Sequence, residues 1–114
     1  MKKLLPLFLI LFSTNTFARW LDTSGTVTSI TTYAGTETIL VSISSEGTDI
    51  EECSNSTAFA ISASLSSEAR ARMYAMLLAA QASNRTVVIS YNDVGGCEPW
   101  DGAQNVFRQI VRLR

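Results

Sequence analysis

The chain has no histidine, and its only lysines are Lys2 and Lys3. Those two absences remove much chemistry at once. Without histidine a serine or cysteine nucleophile lacks its usual base, and past Lys3 no lysine remains to form a Ser-Lys pair. Two cysteines, Cys53 and Cys97, are too few for a zinc site when no imidazole can join them, so neither a metal nor a cofactor is expected. The chemistry left is carboxylate. Glu51 and Glu52 are adjacent, and Asp93 and Glu98 face each other across a loop. Adjacent residues of an extended segment point to opposite faces, so Glu51 and Glu52 read as solvated charge, and no enzyme is expected.

Long apolar runs are also missing. The longest, Leu4 to Phe12, is broken by Pro6 and is shorter than the roughly 20 residues a spanning helix needs. It follows Lys2 and Lys3 and precedes polar Ser13 to Thr16, with Thr16 and Ala18 supplying small side chains before Arg19. Residues 1–18 therefore read as a signal peptide cleaved after Ala18, with a retained N-terminal membrane anchor as the alternative. No membrane span is expected in the mature chain, which would be secreted or periplasmic. Residues 19–114 form a single small domain with seven arginines against ten acidic groups, a formal net charge of −3. A mildly acidic surface suits phosphate poorly, so nucleic acid is not an expected partner. In an oxidising compartment, Cys53 and Cys97 are expected to pair as one disulfide, which would stabilise the fold by about 4 kcal/mol.

What the mature chain does contain is one helix among strands. In Ser64 to Asn84, the residues Ala69, Met73, Met76, Leu77 and Ala80 share one helical face and are expected in the core. Ser64 or Ser66 can cap its start, Glu68 falls in the first turn, and Asn84 suits a left-handed stop. The opposite face is also nearly apolar. Ala71, Tyr74, Ala75, Leu78 and Ala82 lie there and are expected to form an oligomer interface.

Trp20 to Tyr33 reads as a first strand whose alternation breaks between Val27 and Ile30, which predicts a bulge or bend. After the Ala34-Gly35-Thr36 turn comes a second strand, Glu37 to Ser44, with Ile39, Val41 and Ile43 on one face. A short third strand covers Ala58 to Ser62. Thr86 to Tyr91 is the fourth, Asn92 to Gly102 a long loop, and Ala103 to Leu113 the fifth, with Phe107, Val111 and Leu113 inward and Arg108 and Arg112 outward. The chain is thus mainly β with one helix, in the order β-β-β-α-β-β. That is the order of the OB-fold, a five-stranded Greek-key barrel, with an open α+β sandwich as the alternative.

Several short stretches carry a family resemblance: Trp20, Ser24-Gly25-Thr26-Val27, Cys53 ahead of the third strand, Tyr74 to Leu78, and Asn84 to Tyr91. In them the chain resembles the small secreted OB-fold proteins related to the B subunit of subtilase cytotoxin, and more loosely other pentameric toxin B subunits. The resemblance implies a homopentameric ring with helices lining the pore and a sialylated-glycan pocket outside, in which Ser24 matches the family's serine. Ala79 or Gln81 stands where the family's pocket has a tyrosine, and Cys97 departs from its cysteine pattern.

Read from the residues alone, Tyr91 and Trp100 could instead form an aromatic platform for sugar, with Asn92, Asp93 or Asp101 accepting hydroxyl bonds. The plainer alternative has Trp100 covering one end of the barrel and shielding the disulfide. The functional expectation is a non-catalytic binding module that takes a glycan or protein ligand as an oligomer. Its rival is a monomeric periplasmic structural, stress or inhibitor protein.

Overall fold

A computed structural model describes residues 19–114, so the expected signal peptide lies outside the described residues. The strands are β1 (Trp20–Thr32), β2 (Ile39–Ile43), β3 (Phe59–Ile61), β4 (Thr86–Asn92), β5 (Cys97–Trp100), β6 (Ala103–Gln109) and β7 (Arg112–Leu113). The single helix among the described residues, α1 (Ser67–Ala82), stands between β3 and β4. The protein is mainly β with one helix, and its strands form one mixed sheet in the order β5-β6-β3-β2-β1-β4-β7.

β1 organises the sheet. Its first half, Trp20 to Thr26, pairs antiparallel with β4, and its second half, Val27 to Thr32, pairs antiparallel with β2. The changeover carries the bulge that the broken alternation predicts, between Val27 and Ser29. The Thr28 hydroxyl at that bulge donates to the Ser42 carbonyl. β3 follows β2 antiparallel and takes β6 alongside it in parallel. Immediately after β6 the backbone turns from one neighbour to another: the Ile110 amide donates to Ala60 of β3, and the Val111 amide donates to Ser90 of β4. β7 then continues along β4.

α1 begins as its sequence predicts. The Ser66 hydroxyl accepts from the Ala69 amide, Glu68 sits in the first turn, and Asn84 adopts positive φ just past the end. Its buried face is narrower than expected. Leu77 and Ala80 enter the core with Met73 packed beside them, whereas Met76 is 39% exposed. The core beneath consists of Val41, Ile43, Phe59, Ile61, Val87, Ile89 and Tyr91 from the strands. Burial of these large apolar side chains is the main favourable contribution to folding.

Two expectations about the C-terminal third are corrected. The expected loop 92–102 contains β5, and the expected fifth strand is two strands, broken where Ile110 enters the core. The second correction concerns Arg108, expected to point outward and found 1% exposed. Its guanidinium lies 4.0 Å from the Phe59 ring centroid and 5.4 Å from that of Tyr91. One terminal nitrogen donates to the carbonyls of Glu46 (2.6 Å) and Thr48 (3.0 Å), the other to those of Ser56 (2.8 Å) and Ala58 (3.5 Å). Burial pushes its pKa below the ordinary guanidinium value, while Tyr91, Asp49 and Glu46 oppose that push. Arg108 thereby supplies donors to four backbone carbonyls of the long β2–β3 connection.

The same connection is fastened elsewhere too: the Ser54 and Asn55 amides donate to the Asn105 and Val106 carbonyls of β6. Cys53 is bonded to Cys97, with Cα atoms 5.5 Å apart, and Ile50 is buried. Gly47 makes the approach to Tyr91 feasible: it has φ of +72°, and a Cβ there would lie 2.7 Å from the Tyr91 hydroxyl. That hydroxyl accepts from the Thr48 amide at 2.8 Å.

Replacing Arg108 by Met keeps the bulk and removes every donor, so Arg108→Met should lower unfolding free energy by about 3 kcal/mol or more. Arg108→Lys should recover little of it, because an ammonium cannot fork toward two pairs of carbonyls. Denaturant titration of the oxidised protein reads both. Cys53→Ser with Cys97→Ser should cost about 4 kcal/mol in the same assay.

Candidate functional site

At the end of β1 the chain leaves the sheet through Tyr33 and turns over Ala34 and Gly35. Tyr33 is 50% exposed. Opposite it stands the β5–β6 hairpin, whose two-residue turn is Asp101-Gly102, with φ of +49° and +82° and Trp100 paired across it with Ala103. Positive φ at both turn positions suits the right-handed twist of a hairpin and selects Asp-Gly. Pro99 falls where the β5–β6 register shifts, on the outermost strand, where a missing amide donor leaves no ladder bond unmade.

Between the loop and the hairpin lies an open hollow of about 480 Å³, lined by residues 33–36 and 99–101. That volume falls within the roughly 300–1,000 Å³ of small-ligand sites. Its aromatic wall is Trp100 with Tyr33, ring centroids 5.2 Å apart and planes at 63°. Trp100 is braced from behind by Phe107 at 5.6 Å, edge to face. Thr36 and Asp101 add polar groups to the rim.

The two walls are held at a fixed separation by Glu98, which is 3% exposed. One carboxylate oxygen accepts from the Thr38 hydroxyl (3.1 Å) and the Ala63 amide (3.2 Å), and the other from the Gln109 side chain (2.9 Å). Thr38 lies two residues past Thr36, and Glu98 directly precedes Pro99. One buried carboxylate therefore joins the loop to the hairpin.

The residues singled out from the sequence are spread over several places. Trp100 lines the hollow, and its aromatic partner there is Tyr33. Tyr91 packs on Phe59 in the core, 1% exposed, and offers no ring face to a ligand. Asn92 is half-buried against Gly96. Asp93 exchanges two bonds with Arg19: its carboxylate accepts from the Arg19 amide, and its own amide donates to the Arg19 carbonyl. Ser24 is exposed on β1 beside Val88 and lies outside the hollow. Glu51 and Glu52 are exposed, in keeping with solvated charge, and Asp93 and Glu98 are engaged by different partners. On α1, Ala71, Ala75, Leu78 and Ala82 are exposed and Tyr74 is half-buried. Arg70 reaches Glu37 at 2.6 Å. No helix among the described residues is long and apolar enough to cross a membrane.

A second polar cluster lies at the start of β1. Asp22 accepts from the fully buried Ser90 hydroxyl and pairs with Arg112 (3.5 Å) and Arg114 (3.3 Å). Arg112 also donates to the Ser90 oxygen and stacks 5.2 Å above the Trp20 ring. The Ser90 bond, followed by the charges of Arg112 and Arg114, holds the Asp22 carboxyl below its ordinary pKa.

The direction of the Asp22 shift sets a pH window. A carboxylate depressed by folding contributes stability that is complete above its unfolded pKa, near 3.9, and lost as pH falls through its lower folded value. The stability gap between wild type and Asp22→Asn should therefore be constant near pH 6 and shrink toward about pH 2, read by melting temperature. Glu98→Ala should cost about 3 kcal/mol, since three donors lose a charged acceptor. It should also speed amide exchange across residues 36–38, which the carboxylate no longer ties to the hairpin.

Comparison with protein-family models, with curated proteins and with solved structures yields no match. The resemblance to toxin B subunits thus rests on its own short stretches of sequence.

Proposed function

We propose that the chain is a non-catalytic, secreted or periplasmic binding module of the OB-fold type, and that it recognises glycan in the hollow between Tyr33 and Trp100. The fold reading is supported by the segment from β6 to β7, which bonds to β3 and then β4 in successive residues and so joins the two sides of the sheet. A first strand shared between β4 and β2 is a second support. OB-folds take oligonucleotides and oligosaccharides against the loop after the first strand and the connection after the fourth. The hollow lies between the loop after β1 and the end of β5 with its turn, within the segment that runs from β4 to β6.

The observation that carries the ligand class is the aromatic pair of exposed Tyr33 and half-buried Trp100, with the Asp101 carboxylate beside it in the lining of the hollow. Sugar rings present apolar C–H faces that stack on aromatics and hydroxyls that donate to carboxylates. Single-stranded nucleic acid also stacks on aromatics, but its backbone needs a basic groove. Here seven arginines face ten acidic groups over residues 19–114.

A second reading is carried by the outer face of α1, where Leu78 is 41% exposed beside exposed Ala71, Ala75 and Ala82. Such a face suits assembly through the helix, as in the homopentamer that the toxin B-subunit resemblance implies. A monomeric periplasmic structural, stress or inhibitor protein would leave it open to solvent.

Screening the oxidised protein on a mixed glycan array tests the first reading. Binding should be lost in Trp100→Ala and kept in Ser24→Ala; loss in Ser24→Ala alone would move the site to β1. Light scattering tests the second. An oligomeric wild type should fall to a folded monomer in Leu78→Arg, because the substitution places an unpaired charge in an apolar contact.

A further inference from the structure

The hollow has a charge as well as a shape. Among the described residues that line it, Asp101 alone is ionisable in the acidic range and no cation is present. Just outside the rim stands Glu37, next to Thr36, and beneath Pro99 lies the buried Glu98. Glu37 is paired with Arg70 at 2.6 Å. A ligand entering between Tyr33 and Trp100 therefore meets the Asp101 carboxylate and aromatic side chains, and none of the residues lining the hollow is a cation that could receive an acid.

We propose that the hollow selects an uncharged pyranose, stacked on Trp100 and bonded through its hydroxyls to Asp101, and discriminates against sugar acids such as sialic acid. This rests on the binding-site reading above and narrows it. Stacking requires an apolar ring face, which pyranoses with equatorial hydroxyls present, and Tyr33, at 63° to Trp100, sets a second aromatic ring beside it in the lining. A carboxylate accepts two hydroxyl bonds in the geometry that vicinal hydroxyls offer, and such charge-assisted bonds are the strong ones. The same carboxylate repels the carboxylate of a sugar acid, and that like-charge contact is uncompensated here.

Calorimetry with the methyl glycosides of glucose, galactose and mannose, and with the methyl glycoside of N-acetylneuraminic acid, tests this on the oxidised mature protein. At least one neutral glycoside should bind, should lose binding in Trp100→Ala, and should bind at least about tenfold tighter than the sugar acid. Asp101→Asn should narrow that gap by weakening the neutral sugar and strengthening the acid. Asn tolerates positive φ, so this variant keeps the turn. A sugar acid that binds as tightly as the neutral glycosides, and is lost in Trp100→Ala, would overturn the charge selection while leaving the site in place. Absence of binding by every glycoside would overturn both the selection and the site.

Discussion

A buried guanidinium without a carboxylate partner holds this molecule together. Arg108 extends from β6 into a space bounded by Phe59 of β3, Tyr91 of β4 and the connection between β2 and β3. Removing a cation from water is costly unless its donors find acceptors. Here the acceptors are carbonyls of a long connection, and the rings supply attractive π faces. Each side meets the other's need. The connection gains an ordered path, and the two terminal nitrogens gain acceptors, while the buried Nε has none.

That constraint reaches the candidate site through β6. Arg108 is paired in register with Phe59 on one side and with Cys97 on the other, and Cys97 is bonded to Cys53 in the same connection. The position of β6 sets that of β5, and with it the Asp101-Gly102 turn and the Trp100 ring. Glu98, one residue past the disulfide, then ties the hairpin to the loop that follows β1. The hollow is thus tied on both sides, and a preformed frame lowers the ordering cost of binding.

Much of the scaffold was legible in the chain. The parity break between Val27 and Ile30 marked the bulge, and Ser66, Glu68 and Asn84 marked both ends of α1. β5 was missed because Gly95, Gly96 and Pro99 read as loop, although Asp101-Gly102 is a hairpin turn signal that could have revealed it. Arg108 was assigned outward by alternation with Phe107. Alternation distinguishes two faces of a strand and says nothing about whether a distant connection covers the second one. Tyr91 had the inward parity of Val87 and Ile89, which suits the core position it holds. Tyr33 gave only the signal of an aromatic at a strand end. Its partner lies far along the chain, and only the folded sheet brings the pair together.

The measurement that tests the account most directly is amide chemical-shift mapping of the oxidised protein during titration with neutral glycosides. Binding in the hollow should give perturbations confined to residues 33–36 and 99–102, with the Trp100 indole among them. Perturbations centred on Ser24 or on the outer face of α1, with residues 33–36 and 99–102 unmoved, would contradict it.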